Sequence, residues 1–198
     1  VSLLGLFACL INSCTTSSFD PHPVSIELSY DDHGDPAGCS WYCGAPPISV
    51  KSSSTLKQDP HDFSASNLHD MNKMSAWVEG SDGYGIGEKV TFTFDLSERN
   101  DEAMTVRYAS IINGLSKSKL LWKQNSRVKT LKVHSPGLSP YLVQLADSDS
   151  PQDIDLQEVK LKPKSKTKIT FEIVEVYPGT HFQDTALSDF KFNGGGVH

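Results

Sequence analysis

The chain has 198 residues and a mass of 21.7 kDa, enough for one domain with its own core. Its 37% hydrophobic and 21% charged residues exclude a disordered acidic polymer and an all-membrane protein, and 14 Gly with 11 Pro exclude collagen-like and low-complexity classes. A formal charge of −6 argues against a generally basic nucleic-acid binder. Serine is abundant, at 26 residues, which favours strands and turns over helices.

Residues 3 to 11 form an apolar run, Leu-Leu-Gly-Leu-Phe-Ala-Cys-Leu-Ile. It is too short to span a bilayer and has the length of a signal-peptide core. The run ends in Ile11-Asn12-Ser13-Cys14 and is followed by Thr15-Thr16-Ser17-Ser18. A Cys between an apolar run and a polar tether resembles a bacterial lipobox, with Asn12 a departure from it. The expectation is an exported protein of the bacterial cell envelope, lipid-anchored through Cys14; cleavage nearby and plain secretion is the alternative, and a buried first strand a third. Cys39 and Cys43 have three residues between them in Gly38-Cys-Ser-Trp-Tyr-Cys-Gly44. In an exported chain this spacing suits a disulfide closing a small loop. A zinc site would need further ligands, and His33 alone is weak support.

Residues 15 to 47 are polar and contain no Lys or Arg, with one strand candidate at Val24 to Tyr30. Ser64 to Lys73 reads as one short helix or turn. Val90, Phe92 and Phe94 alternate with Thr91 and Thr93, the period of a half-buried strand. Met104 to Ile112 is rich in strand formers and stops at Asn113-Gly114, a turn signal. Arg127 to His134, Tyr141 to Leu145 and Ile154 to Val159 follow as strands. Ile169, Phe171 and Ile173 alternate up to Tyr177-Pro178-Gly179, Leu187 to Phe192 is the last strand, and Gly194-Gly195-Gly196 reads as a flexible tail. No segment keeps a helical period over three turns. Many short strands without intervening helices predict an all-β antiparallel sandwich or barrel.

Charge falls in blocks. Ala103 to Ala146 carries seven basic residues and no acid, and Asp147 to Glu158 carries five acids and no base. Lys160, Lys162, Lys164, Lys166 and Lys168 then alternate. On a strand this period puts all five on one face, either as a solvated, lysine-protected edge or as an anion-binding surface. The chain has no nucleophile elbow, phosphate loop, HExxH or dinucleotide fingerprint. The pairs His61-Asp62 and His69-Asp70 have no nucleophile placed beside them, which leaves a hydrolase as a third-ranked reading. Asn67 to Gly80 is rich in Asn, Asp and Ser, and reads either as oxygen ligands for Ca²⁺ or as a metal-free polar turn leading Trp77 into the core.

Several runs in one order carry a resemblance. They are Cys39-Ser-Trp-Tyr-Cys-Gly44, Ala65-Ser-Asn-Leu-His-Asp70, Ser75-Ala-Trp-Val-Glu-Gly80 and Gly83-Tyr-Gly-Ile-Gly-Glu88. Ile112-Asn-Gly114, Lys117-Ser118, Trp122, Asn125-Ser-Arg-Val-Lys129, Leu131-Lys-Val133, Glu175-Val-Tyr-Pro-Gly-Thr180 and Asp184-Thr-Ala-Leu-Ser-Asp189 follow. Together they resemble the discoidin-type domain of bacterial NAD glycohydrolases, also called the NADase-type glycan-binding or translocation domain. The resemblance implies an eight-stranded, galactose-binding-domain-like jelly-roll β-sandwich without catalytic activity. Taken with the reading of the N-terminal segment, it divides the chain into a signal remnant at 1–14, a disordered polar tether at 15–38 and the sandwich at 39–193. It also implies one structural Ca²⁺, carried over onto Asp70, Asn72, Ser75 and Asp189. The usual last carboxylate is Glu, so Asp189 is one methylene short.

The expected function is an exported, non-catalytic module that binds carbohydrate through loops. Aromatic rings suit pyranose C–H faces, while amides and charges read hydroxyls. The candidates are Trp41, Tyr42, Tyr84, Trp122 and His181, with Asn125 and Arg127 as polar partners. The alternative is a protein-interaction or translocation module that docks an envelope partner. Nucleic acid is not an expected partner.

Overall fold

The computed structural model describes residues 45–100 and 104–195. Cys14, Cys39, Trp41, Tyr42, Cys43 and the strand candidate Val24 to Tyr30 lie outside the described residues. Nine strands are present there: β1 Pro47–Ser52, β2 Trp77–Val78, β3 Lys89–Asp95, β4 Met104–Asn113, β5 Ser126–His134, β6 Tyr141–Gln144, β7 Gln152–Leu161, β8 Lys166–Tyr177 and β9 Thr185–Gly195. The count exceeds eight through the two-residue β2. A 3₁₀ turn, η1, covers Ala65–His69, inside the segment read as a short helix or turn, and a six-residue helix, α1, covers Lys119–Gln124.

The strands follow one hydrogen-bonded path, β1-β3-β8-β5-β9-β4-β7, with β6 beside β5 and β2 beside β9. All pairings are antiparallel except β5 with β9, which meet in parallel at Ser126↔Thr185 and Arg127↔Ala186. That short contact is the seam where the path folds into two layers. Phe92 and Phe171, on β3 and β8, meet Phe190 and Phe192 of β9 across the core. Phe92 lies 5.0 and 4.8 Å from those two rings, and Phe171 lies 4.9 Å from Phe190. β3 and β9 share no hydrogen bonds along the path, so these ring contacts are layer against layer. Such tilted and edge-to-face pairs add to the area burial that drives a sandwich together.

The alternating residues Val90, Phe92 and Phe94 are all buried, as the period predicts, and Trp77 is fully buried. The indole of Trp77 donates to the Ser54 carbonyl at 2.9 Å, which satisfies the one polar group it carries inside. Gly194 and Gly195 are strand, not tail: they oppose Val106 and Thr105 of β4. Their lack of side chains gives no apolar period, so the sequence hides the pairing. The five alternating lysines do not share a strand either. β7 ends at Leu161 and β8 starts at Lys166, so they wrap a corner between two strands. Pro163 removes a donor that a continuous strand would need.

Candidate functional site

One end of the sandwich carries the connections 53–63, 79–88, 114–125, 145–151 and 178–184. Between 53–63, 70–76, 114–125 and 178–184 lies a groove of about 810 Å³. Its floor is a second apolar cluster of Ala76, Val78, Leu115 and Ala186, with Leu56, Phe63 and Leu121 packed on it. The walls are pinned by backbone bonds. Leu56 N–H donates to Val78 O at 2.9 Å, and Val78 N–H to Phe63 O at 3.2 Å. The last carbonyls of α1 lack intrahelical partners. Thr180 N–H therefore donates to Lys123 O at 3.0 Å, and His181 and Phe182 N–H to Gln124 O at 3.1 and 2.8 Å. This clamp holds Phe182 over the groove with 41% of its surface exposed. Phe63 forms a second wall, with His61 tilted against it at 5.9 Å. Asp62, Asn72, Ser75, Lys117, Asn125 and Asp184 supply polar groups around this apolar floor. Aromatic faces with amides and charges at the rim are the equipment for a sugar or another amphipathic ligand.

Of the sequence-predicted ligand residues, Asn125 lines the groove, and exposed His181 sits beside Phe182 with their rings 4.5 Å apart. Asn125 Nδ2 donates to Leu121 O at 2.9 Å, which also closes α1. Trp122 and Arg127 pack on each other, with the guanidinium 4.6 Å from the ring centre. Arg127 is buried. Its Nε and Nη2 donate to the two Asp147 carboxylate oxygens at 2.7 and 2.9 Å, and its Nη1 donates to Asn125 O at 2.9 Å. Trp122 Nε1 donates to Asn113 O at 2.9 Å. These partners account for both side chains without a ligand. A Cβ at Gly114, whose φ is +78°, would stand 2.6 Å from Arg127 Cγ, so glycine lets the stack close. Tyr84 is half-buried on the 79–88 loop, where its carbonyl accepts from Thr185 Oγ1 at 2.8 Å.

Sequence reasoning proposed none of His61, Phe63, Lys117, Phe182 and Asp184 as ligand-binding residues, although His61 was weighed for a hydrolase and Lys117 and Asp184 fell within the runs that carry the resemblance. An aromatic in the polar run Thr180-His-Phe-Gln-Asp184, between a Pro-Gly turn and a strand, was the available signal for Phe182. It also gave no role to Glu79, which is fully buried. Glu79 Oε2 accepts from Ser81 N–H and Oγ at 2.8 Å each, and Oε1 from Thr185 N–H at 3.1 Å.

In the oxygen-rich loop, Asp70 Oδ1 accepts from Asn72 N–H at 2.8 Å and Oδ2 from Ser75 Oγ–H at 2.6 Å. Asn72 Oδ1 accepts from Met74 N–H at 3.1 Å. The loop therefore folds on itself, with Met71 at a φ of 64°. Asp189 is almost fully buried on β9. Desolvation pushes its carboxyl above the ordinary range, against the opposing pull of Lys191 and His69. Among the described residues no three of His, Cys, Asp and Glu form a metal cluster. The side-chain oxygens of Asp70, Asn72 and Ser75 are hard donors, the type Ca²⁺ takes, and in this loop they are engaged with one another and with the backbone.

Fold and groove together define a discoidin-like jelly-roll domain of the kind found in carbohydrate-binding modules. Residues 41–193 match the family described as NAD glycohydrolase translocation F5/8 type C domain, and the chain belongs to that family. Among solved structures, it is similar to the arabinofuranosyltransferase AftD from Mycobacteria, with TM-score 0.51 and 15% identity over 75% of this chain. The match covers 11% of AftD, so this chain spans about a tenth of that protein. It is also similar to a family 32 carbohydrate-binding module from Clostridium perfringens, CpGH89CBM32-5, determined with GalNAc-β-1,3-galactose. There the TM-score is 0.50 and the identity 10%, over 73% of this chain and 94% of the module. The Streptococcus pyogenes NAD⁺-glycohydrolase translocation domain gives a TM-score of 0.40 and 23% identity, over 59% of this chain and 95% of that domain. No curated protein matches.

Proposed function

We propose that this chain is an exported, non-catalytic module that binds carbohydrate in the groove between Phe63 and Phe182. The observation that carries this reading is the groove itself: about 810 Å³, an apolar floor and two aromatic walls ringed by amides and charges. The carbohydrate-binding module among its structural neighbours supports it. A glycan array with the purified protein tests it. Binding of a defined glycan class by the wild type, weakened at least about fivefold in Phe182→Ala, is expected, since one stacked ring is worth on the order of 1 kcal/mol or more. An array on which the wild type binds nothing contradicts it.

A second reading, docking of a protein partner during translocation, is favoured by exposed apolar side chains. Met71 is 70% exposed, Met74 49% and Leu120 65%. Capture of a protein partner that excess glycan does not displace, and that Phe182→Ala does not weaken, selects it. Ca²⁺ held by Asp70, Asn72, Ser75 and Asp189 is proposed as a structural tie. Acylation of Cys14 and a Cys39–Cys43 disulfide are proposed from the sequence. Intact mass of the exported protein tests both: an acyl increment, and a gain of about two hydrogens on reduction. An unmodified mass with two free thiols rejects both.

A further inference from the structure

The end of the sandwich opposite the groove is organised by the β7–β8 corner. Lys160, Lys162, Lys164, Lys166 and Lys168 are all exposed there, with no acid between them in sequence. The corner backbone is pinned: Lys164 N–H donates to Leu96 O at 2.8 Å, Leu96 N–H to Ser165 O at 2.9 Å, and Ser165 Oγ to Lys162 O at 2.7 Å. Lys166 is paired with Asp95 at 2.8 Å. Among the described residues, the other four have no carboxylate within ion-pair distance. The adjoining loop carries one acid and one base, Glu98 and Arg99, and Asp101 and Glu102 lie outside the described residues.

The N-terminal segment joins the fold at this same end. Pro47, at the start of β1, opposes Phe94 of β3, which opposes Thr167 of β8. β8 has 12 residues, so at about 3.3 Å per residue the groove stands roughly 40 Å from the corner. Four ammonium groups that have no ion-pair partner among the described residues therefore sit at the end of the sandwich where β1 begins, on a chain of formal charge −6.

We propose that the β7–β8 lysines seat the domain on an anionic lipid bilayer and hold the groove facing away from it. The choice of a bilayer over a soluble polyanion rests on the envelope reading of the N-terminal segment. The lysine contact itself does not depend on acylation.

The test is vesicle co-sedimentation of the full chain with Cys14→Ser, which separates the lysine contact from any lipid anchor. The quantity read is the gain in binding from phosphatidylcholine to phosphatidylglycerol-containing vesicles. That difference cancels any contribution of the apolar run at residues 3 to 11. Each lysine near an anionic surface is worth roughly fivefold in partitioning. The combined variant Lys160→Gln, Lys162→Gln, Lys164→Gln, Lys168→Gln should lose at least about tenfold of the gain, and added salt should lower the wild-type value. Unchanged thermal melting shows that the variant folds. An equal gain in variant and wild type overturns the proposal. So does binding to a soluble polyanion with no gain on anionic vesicles. Failure of the anchor reading would show separately, as an unmodified Cys14 in the exported protein.

Discussion

Glu79 shows how one side chain can organise a loop from inside. It accepts three hydrogen bonds from Ser81 and Thr185, which close the 79–88 loop against the start of β9. The conformation of Gly85, with φ +65°, belongs to the same closure, since a Cβ there would collide with the Glu79 side chain. Glu79→Gln replaces one acceptor oxygen with an NH₂ donor that faces the donors around it. It should cost about 1–3 kcal/mol, read as a lower urea midpoint with an unchanged slope. Asp95 gives a pH-dependent prediction. The Lys166 ammonium, then Ser97, hold its carboxyl down to about 2. The folded value lies below the unfolded one, so the ion pair stabilises above about pH 4 and is lost as pH falls toward 2. Asp95→Asn should flatten that part of a stability-against-pH curve while leaving its shape between about pH 5 and 8 alone. An identical acid slope in the variant contradicts the pairing. None of this was legible in the sequence, because a lone Glu after Trp-Val and an Asp ending a strand look like ordinary surface acids.

Strands announced themselves where one face is buried. β3 and β8 alternate Val, Phe and Ile with Thr, and the structure buries the apolar set. β1 went unread because a register shift between Pro47 and Ser49 leaves Ile48 exposed while Pro47 and Val50 oppose Phe94 and Phe92, so no apolar alternation shows, and its pairing with β3 comes from the edge it covers. α1 is six residues long, too short for a period, and its ends are satisfied by neighbours: Ser118 Oγ accepts from Leu121 N–H, and the 178–184 connection covers its last carbonyls. Because the groove is built from such connections, its existence was legible only through family resemblance. The calcium proposal belongs at this scale, since it ties the 70–75 loop to β9. Ion binding at a hundredfold excess over Kd adds about 2.7 kcal/mol, a rise of several degrees in melting temperature. Chelator should remove that rise, and Asp70→Asn should abolish the response to added calcium. Equal melting in chelator and in calcium leaves the Asp70 turn as the self-bonded loop its hydrogen bonds already describe.

Across the whole molecule, two layers closed by phenylalanine contacts keep the two ends of the sandwich apart. One end gathers the connections around Phe63 and Phe182, and the other gathers lysines and the entry of the N-terminal segment. The β5–β9 seam sits at the groove end, where Ser126 Oγ accepts from Gly179 N–H at 3.0 Å and so links the seam to the Phe182 clamp. The groove is therefore backed by paired strands, the support a preformed binding site needs. The central claim is that this groove holds the ligand. It is tested most directly by mapping amide chemical-shift changes while titrating the best glycan from the array. The account predicts shifts concentrated at Phe63, Lys117, Asn125 and Phe182, absent in Phe182→Ala. Shifts centred instead on Tyr84 or on Lys160 to Lys168, with Phe63 and Phe182 unmoved, would contradict it.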